Sequence, residues 1–170
     1  MEYWDLFDSQ RQPLHRIHRR GDDLLPGSYH LVVEVWVIDS AEAILLTLRD
    51  EHKDWYPGKW ECPSGSALAG ESSRQAAVRE LWEETGIHAE QEELVFLGST
   101  QDSSAFFDAY VLRRNKSSTR VTLQPGETAA AQWVNRGQLI DMAAEQSLAL
   151  PVAQRLTINQ QAFDNFIDNL

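Results

Sequence analysis

The sequence contains a single cysteine, Cys62, among its 170 residues. One cysteine cannot form an internal disulfide, and the N-terminus lacks the basic and then apolar layout of a secretory signal peptide. No apolar run approaches the roughly 20 residues that a membrane-spanning helix needs. We therefore expect a cytoplasmic protein without a membrane partner, and the absences argue against a disulfide-stabilised secreted domain.

Basic residues are scarce relative to acidic ones. The sequence has 15 Lys and Arg against 26 Asp and Glu, which gives a formal net charge of −11. Proteins that bind polymeric nucleic acid need clustered basic residues, so we expect no nucleic acid polymer as partner. An acidic protein that binds an anionic substrate needs a cation to screen the approach of that substrate. The charge balance therefore directs attention to metal ligands.

The pattern of apolar residues predicts an alternation of strands and helices. Strands are predicted at residues 2–8, 29–38, 43–48, 94–97, 105–112, 120–123 and 129–134. Helices are predicted at residues 72–85, 138–146 and 152–169. In the first of them Ser72 and Gln75 form a possible capping box, and Gly86 is suited to end the helix. Residues 50–60 mix charges, aromatic rings and a Pro-Gly turn, which is typical of a surface loop. The first predicted strand belongs to an N-terminal hairpin or arm.

The predicted helix at residues 72–85 carries a cluster of carboxylates. Glu80, Glu83 and Glu84 fall within about one third of the helix circumference. The face opposite to them is predicted to consist of Ala77, Val78, Leu81 and Trp82. A solvated helix face is one interpretation of the acidic cluster. The other is a site for Mg²⁺ or Mn²⁺, because clustered carboxylates repel one another and these hard ions prefer carboxylate oxygens.

Residues 65–87 read GSALAGESSRQAAVRELWEETGI and match G-x5-E-x7-R-E-U-x-E-E-x-G-U at every fixed position, where U is a bulky apolar residue. Average residue frequencies give a chance match on the order of 10⁻⁷ or below. This segment resembles the signature of the Nudix hydrolases. The resemblance to that family extends over residues 29–135, and it favours the metal site over the solvated face.

The resemblance implies an α/β fold, a Nudix-type α/β/α sandwich with a mixed β-sheet between the signature helix and a C-terminal helix. It implies a single domain over residues 1–170. Within this domain we expect an N-terminal strand or hairpin arm at 1–28, a core at 29–135 and C-terminal helices at 136–170. Because members of the family are often dimers, a homodimer is also expected.

The same resemblance implies hydrolysis of a diphosphate bond in a nucleoside diphosphate linked to another moiety, a small-molecule substrate, with Mg²⁺ or Mn²⁺ as cofactor. The implied metal-binding residues are Gly65, Glu71, Glu80, Glu83 and Glu84. Gly65 is expected to form a tight loop whose carbonyl faces the ion. Glu71 is placed to reach either the metal or the amides at the helix N-terminus.

Three residues are candidates for a catalytic role. Arg79 lies at i,i+4 from Glu83 and is expected to hold its carboxylate in position, as metal sites require. Glu80 either binds metal-bound water or acts as the general base. Glu127 lies where many Nudix hydrolases have a further catalytic or ligand Glu, and a plain loop residue is the alternative. The choice of base stays open.

The loop upstream of the signature supplies the candidates for substrate binding. Arg49 and Lys53 are suited to phosphate groups, and an aromatic ring of Trp55 or Tyr56 is suited to stacking on a base. The alternative is a solvated loop whose aromatic rings pack on the core. The sequence does not distinguish these two interpretations.

Two other functions remain open. Residues 29–60 and the N-terminal arm resemble the Nudix branch that includes isopentenyl-diphosphate isomerase. The isomerases, however, have a degenerate signature and a catalytic cysteine in a Cys-Gly-His setting, where this chain has Ser64-Gly65-Ser66. Hydrolysis is therefore favoured, with Cys62 inert and His30 a hydrogen-bonded structural histidine. A non-catalytic nucleotide-binding module is the second alternative.

Overall fold

The computed structural model describes residues 1–102 and 104–169. Within these ranges the strands are β1 (Tyr3–Phe7), β2 (Pro13–Arg19), β3 (His30–Ile38), β4 (Ile44–Arg49), β5 (Trp60–Glu61), β6 (Ser64–Ser66), β7 (Val95–Asp102), β8 (Ala105–Arg113) and β9 (Thr128–Val134). The α-helices are α1 (Ser73–Thr85), α2 (Arg136–Ala144), α3 (Leu150–Ile158) and α4 (Gln160–Ile167). A short 3₁₀ helix, Gln91–Glu93, follows α1. No helix in the described part of the chain is both long and apolar enough to cross a membrane.

Seven of the strands form one mixed sheet. Its order is β5-β4-β3-β8-β7, with β6 added beside β3 and β9 beside β4. The central pair, β3 and β8, is parallel, and the other pairs are antiparallel. Of the nine residues in β3 all but Val32 are buried. A nearly continuous buried run is expected of a strand with both faces covered.

Alternate side chains of β3 enter two separate apolar clusters. Val33, Val35 and Val37 pack on the face that α1 covers. Trp36 and Ile38 pack on the opposite face, in a cluster with side chains from α2, α3 and α4. Helices therefore cover both faces of the mixed sheet, and the α/β/α sandwich predicted from the sequence is confirmed.

Helix α1 begins and ends at the predicted signals. Ser72 and Gln75 form a reciprocal capping box, and Gly86 ends the helix with φ 69°. A left-handed φ at this position is readily adopted only by glycine, which has no Cβ to clash. Both of these predictions are confirmed.

The prediction for the apolar face of α1 was wrong in one respect. Trp82 is 50% exposed, whereas Glu84 is only 6% exposed. At 100° per residue, Trp82 lies about 140° from the buried Ala77, while Glu84 lies within about 20° of it. Glu84 therefore enters the core from the buried side of the helix, and the three carboxylates do not all face away from the apolar residues.

Two further elements differ from the prediction. Residues 120–123 form no strand, because the Thr122 backbone is hydrogen-bonded to the Thr85 carbonyl at the end of α1 and not to a neighbouring strand. The single helix predicted at residues 152–169 is divided into α3 and α4. The division falls at Asn159, whose φ and ψ of −90° and 8° leave the helical geometry. It allows each helix to bury its own apolar side chains.

The N-terminal hairpin, β1 and β2, forms its own two-stranded sheet and docks on the core through polar contacts. Arg11, at its turn, donates two hydrogen bonds to Asp108 at 2.7 and 2.5 Å, and the Ser73 hydroxyl donates a third at 2.5 Å. The backbone N–H of Ala69 donates to the Tyr3 carbonyl at 2.8 Å. These contacts hold the hairpin against the start of α1.

A buried aromatic group joins the hairpin to β3. Trp4 stacks on His30 with ring centroids 4.1 Å apart, and His18 lies beside Trp4. Among the described residues His30 Nδ1 has no hydrogen-bond partner, so the hydrogen bond expected of a structural histidine is absent at this nitrogen. Burial, followed by the positive charges of His18 and Arg20, lowers the pKa of His30 to about 4. His30 is therefore neutral in the folded protein near neutral pH.

The buried His30 predicts a loss of stability in acid. The unfolded chain takes up the proton near pH 6.5 and the folded protein only near pH 4. Stability should fall across this window by up to about 3 kcal/mol. Chemical denaturation of His30→Gln should show a flatter pH dependence than the wild-type protein, because glutamine does not titrate. His88→Gln, at an exposed position, is the matched control, and equal slopes in all three proteins would contradict the prediction.

Candidate active site

A cavity of about 480 Å³ opens where α1, β6, the loop at residues 50–59 and α3 meet. This volume is within the usual range for sites that bind small ligands. Nine of the candidate residues line it: Arg49, Lys53, Trp55, Tyr56, Gly65, Glu80, Glu83, Glu84 and Glu127. Segments that are far apart in the sequence are therefore brought to one cavity.

The remaining two candidates, Arg79 and Glu71, form the support of the acidic cluster. Arg79 Nη1 donates to Glu80 at 2.8 Å and to Glu83 at 2.9 Å. Its Nε and Nη2 donate to the two carboxylate oxygens of Glu71 at 2.8 and 2.9 Å, and Nη2 also reaches the Ser66 carbonyl. One guanidinium thus orders three carboxylates, including the predicted i,i+4 pair with Glu83.

Glu80 lies directly against the backbone of Gly65. A Cβ atom at Gly65 would overlap the Glu80 carboxylate. Gly65 belongs to β6, where it pairs with Val33, so the expectation that glycine serves a tight loop here was wrong. The absence of a side chain is required by the close approach of Glu80. Burial raises the pKa of Glu80 to about 7, against the opposing charge of Arg79.

Glu84 is the most deeply buried carboxylate of the site. It accepts a hydrogen bond from the Ser64 backbone N–H at 3.2 Å. Burial and then repulsion from Glu61 and Glu80 raise the pKa of Glu84 well above its ordinary value. Burying like charges together is costly unless a cation or a proton neutralises them.

The loop at residues 50–59 is held beside this cluster by Arg49, the last residue of β4, and by one ion pair of its own. Arg49 donates to Glu61 at 2.7 Å and to the Trp55 carbonyl at 2.8 Å. Lys53 forms an ion pair with Glu127. Trp55 is 75% exposed, so the alternative in which it packs on the core is wrong for this ring. The structure therefore places cationic side chains and an accessible aromatic ring beside the carboxylates.

Sequence reasoning missed several residues of the cavity. Glu61 lies in the two-residue strand β5, which was not predicted because so short a segment shows no alternation. Phe107 and Arg155 also line the cavity, and Arg155 pairs with the buried Glu34. Glu34 did carry a signal, since it is the only charged residue in the apolar run YHLVVEVWVI. Arg155 carried none, because its contact with Glu34 joins residues that are 121 positions apart in the sequence.

The residues present fit a divalent cation by the chemistry of their donors. Glu80, Glu83 and Glu84 present carboxylate oxygens to the cavity, and these are the ligands that Mg²⁺ and Mn²⁺ prefer. The repulsion at Glu84 is what such a cation would relieve. In the described part of the chain, no three His, Cys, Asp or Glu side chains are already grouped as a formed metal cluster. Arg79 Nη1 instead bridges Glu80 and Glu83.

The interpretation of Cys62 as inert agrees with its surroundings. Its side chain is fully buried, and burial raises the pKa of the thiol well above its ordinary value. A buried thiol with a raised pKa is a poor nucleophile.

Comparison with known proteins gives concordant matches. The family model of the NUDIX domain matches residues 28–154. An uncharacterized Nudix hydrolase from Listeria innocua is 34% identical over 140 residues, 82% of this chain and 83% of that protein. The structure of DR0079 from Deinococcus radiodurans covers 95% of this chain and 99% of its own, with 20% identity and a TM-score of 0.76. The NUDIX domain of Shewanella oneidensis NrtR, complexed with ADP ribose, covers 81% and 88% at 19% identity and a TM-score of 0.64.

The contact between Gly65 and Glu80 predicts a sensitive position. Gly65→Ala should lower the rate of pyrophosphate-bond hydrolysis by about tenfold or more, because the added Cβ displaces the Glu80 carboxylate from Arg79. The rate of hydrolysis at saturating substrate is the measurement. Gly137→Ala in α2 is the matched control, since its Cβ would meet only the Asn135 side chain at 3.3 Å. Equal activity of the two variants would contradict the assigned packing.

Proposed function

The chain belongs to the Nudix family, whose hydrolases act on pyrophosphate bonds, and we propose that it hydrolyses the diphosphate bond of a nucleoside diphosphate linked to a second moiety, with Mg²⁺ or Mn²⁺ as cofactor. The family generally uses divalent metal ions. The observation that carries the proposal is the acidic cluster at the cavity wall, in which Glu84 is buried beside Glu61 and Glu80.

Glu80, Glu83 and Glu84 would hold the cation, with the Gly65 carbonyl and Glu71 as the further metal-binding candidates. A bound divalent cation supplies charge neutralisation and Lewis acidity at the phosphoryl oxygens. The support for these roles is that Arg79 fixes the carboxylates of Glu71, Glu80 and Glu83 before any ligand arrives. Fixed carboxylates lose little conformational freedom on binding, which favours a defined geometry.

Two carboxylates are candidates for the general base, Glu80 and Glu127. Both line the cavity, so both have access to a water molecule there. Glu127 is paired with Lys53. When Lys53 turns to a substrate phosphate, the Glu127 carboxylate is released to accept a proton. Arg79 contributes by holding Glu80 in place, since its Nη1 donates to that side chain.

The loop at residues 50–59 would bind the substrate on the cavity's exposed side. Arg49, at the end of β4, and Lys53, in the loop, provide N–H donors for phosphate oxygens. Trp55 and Tyr56, which are 75% and 41% exposed, offer aromatic surface for a nucleobase. The Shewanella domain that shares this fold is complexed with ADP ribose, which makes ADP-ribose a suitable first compound to test.

The proposal predicts that Glu84→Gln removes activity and leaves the fold intact. Glutamine keeps the size of the side chain but lacks the negative charge, so activity should fall by at least about 100-fold. The measurement is phosphate, nucleotide and sugar-phosphate release from a panel of diphosphates with Mg²⁺, and chelation of the metal should abolish release from the wild-type protein. The panel includes ADP-ribose, nucleotide sugars, dinucleoside polyphosphates, free nucleotides and isopentenyl diphosphate.

Glu92→Gln, at an exposed position, is the matched control and should remain fully active. Full activity of Glu84→Gln would contradict the assignment of Glu84 to the active site. Isomerisation of isopentenyl diphosphate without phosphate release would favour the isomerase alternative. Metal-dependent nucleotide binding without any product would favour the binding module.

A further inference from the structure

The floor of the cavity continues past the acidic cluster across the sheet. Ser66 of β6 pairs with Val32 of β3, and Val32 pairs with Phe107 of β8. Ser66 accepts a hydrogen bond from Arg79 and thus lies next to the carboxylates. Two strand spacings separate Ser66 from Phe107, a distance of about 10 Å. The cavity therefore has room for a group well beyond the phosphates.

Helix α3 covers this far end of the floor with a cationic side chain. The Arg155 guanidinium lies over the Phe107 ring at 3.9 Å from its centroid. Glu34, from β3, accepts from Arg155 Nε at 2.8 Å and from Nη2 at 2.5 Å. Arg155 is 9% exposed and Glu34 is 1% exposed, so the guanidinium is clamped between a ring and a carboxylate.

The Arg155 guanidinium still has N–H groups that can donate to a ligand. Its Nη1 has no hydrogen-bond partner among the described residues, and Arg155 lines the cavity. Because Glu34 compensates its charge, the pair is suited to a neutral acceptor more than to an anion. Val32, Pro151 and Val152 add apolar surface around it. The surroundings match a ring with hydroxyl or carbonyl oxygens on its edge and carbon atoms on its face.

We propose that Arg155 and Phe107 form the subsite for the second moiety of the substrate, and that this moiety is a neutral ring bearing oxygen acceptors, as in sugars and nucleosides. This inference rests on the proposed function, because the subsite is the part of the cavity that lies beyond a diphosphate bound at the carboxylates. Arg155 determines specificity by donating from Nη1 to the ring. Glu34 is a positioning residue that holds the guanidinium over the Phe107 ring.

The test compares ADP-ribose with ATP. Both contain adenosine diphosphate, and they differ in the group beyond it, a neutral ribose ring or an anionic phosphate. Arg155→Lys keeps the charge but loses the planar, stacked donor geometry. It should lower kcat/KM for ADP-ribose by about tenfold or more and change that for ATP by less than about twofold. The loss should fall mainly on KM, and the dissociation constant of ADP-ribose should rise in calorimetry.

Three further variants separate specificity from folding. Phe107→Leu keeps the side chain apolar and removes the ring beneath the guanidinium, so it should shift the ADP-ribose to ATP ratio in the same direction. Glu34→Gln should raise KM for ADP-ribose with kcat unchanged. Arg136→Lys is the matched control, because Arg136 is also paired with a carboxylate, Asp164, in the C-terminal helices but lies outside the cavity lining of the described residues.

The outcomes distinguish the subsite from the hydrolase assignment. If Arg155→Lys lowers kcat/KM equally for ADP-ribose and ATP, or lowers neither, the subsite is overturned. It is also overturned if the wild-type protein cleaves ATP but not ADP-ribose. A greater loss for ATP would overturn the neutral class of the moiety. If the wild-type protein cleaves no diphosphate, the proposed function fails. In that event the dissociation constant of ADP-ribose still tests the subsite. If it is the same for Arg155→Lys as for the wild-type protein, the subsite is also overturned. If it is higher for Arg155→Lys, the subsite stands as a binding site without hydrolysis.

Discussion

The burial of Glu84 is the constraint around which the site is arranged. Helix α1 carries this carboxylate on its buried side, next to Glu61 and Glu80, where water cannot screen the repulsion. Two neighbouring groups stabilise the cluster. The Ser64 backbone donates a hydrogen bond to it, and Arg79 holds Glu80 from the far side. A cluster of this kind is stable only with protons or a cation, and the signature sequence maintains it at the wall of an open cavity.

The Arg and Lys side chains that line the cavity in the described part of the chain are each paired with a carboxylate. The cations of the four pairs come from the N-terminal segment, strand β4, the loop at residues 50–59 and helix α3: Arg20 with Glu2, Arg49 with Glu61, Lys53 with Glu127, and Arg155 with Glu34. Each pair offers donors without leaving a strong positive field. Under the proposed function, the charge of the diphosphate would be met largely by the metal ion, and the pairs would determine orientation more than affinity.

The sequence predicted the parts of the protein that depend on local pattern. The caps of α1 follow from its capping residues, and the pairing of Arg79 with Glu83 follows from i,i+4 spacing. The sandwich follows from the family resemblance together with the order of strands and helices. The parts that depend on tertiary contact could not be predicted. Trp82 is exposed and Glu84 is buried, the reverse of the prediction, because packing against the sheet fixed the rotation of α1. Arg155 reaches Glu34 across 121 residues, and no local pattern signals such a contact.

The thermal stability of the wild-type protein and of Glu84→Gln, each measured with and without Mg²⁺, tests whether the buried Glu84 carboxylate is neutralised by a cation. If Glu84 is a buried carboxylate that a cation neutralises, Mg²⁺ should raise the Tm of the wild-type protein. Glu84→Gln should be more stable than the wild-type protein without metal and should respond less to Mg²⁺. A wild-type Tm that is indifferent to Mg²⁺, together with a less stable Glu84→Gln, would contradict the account.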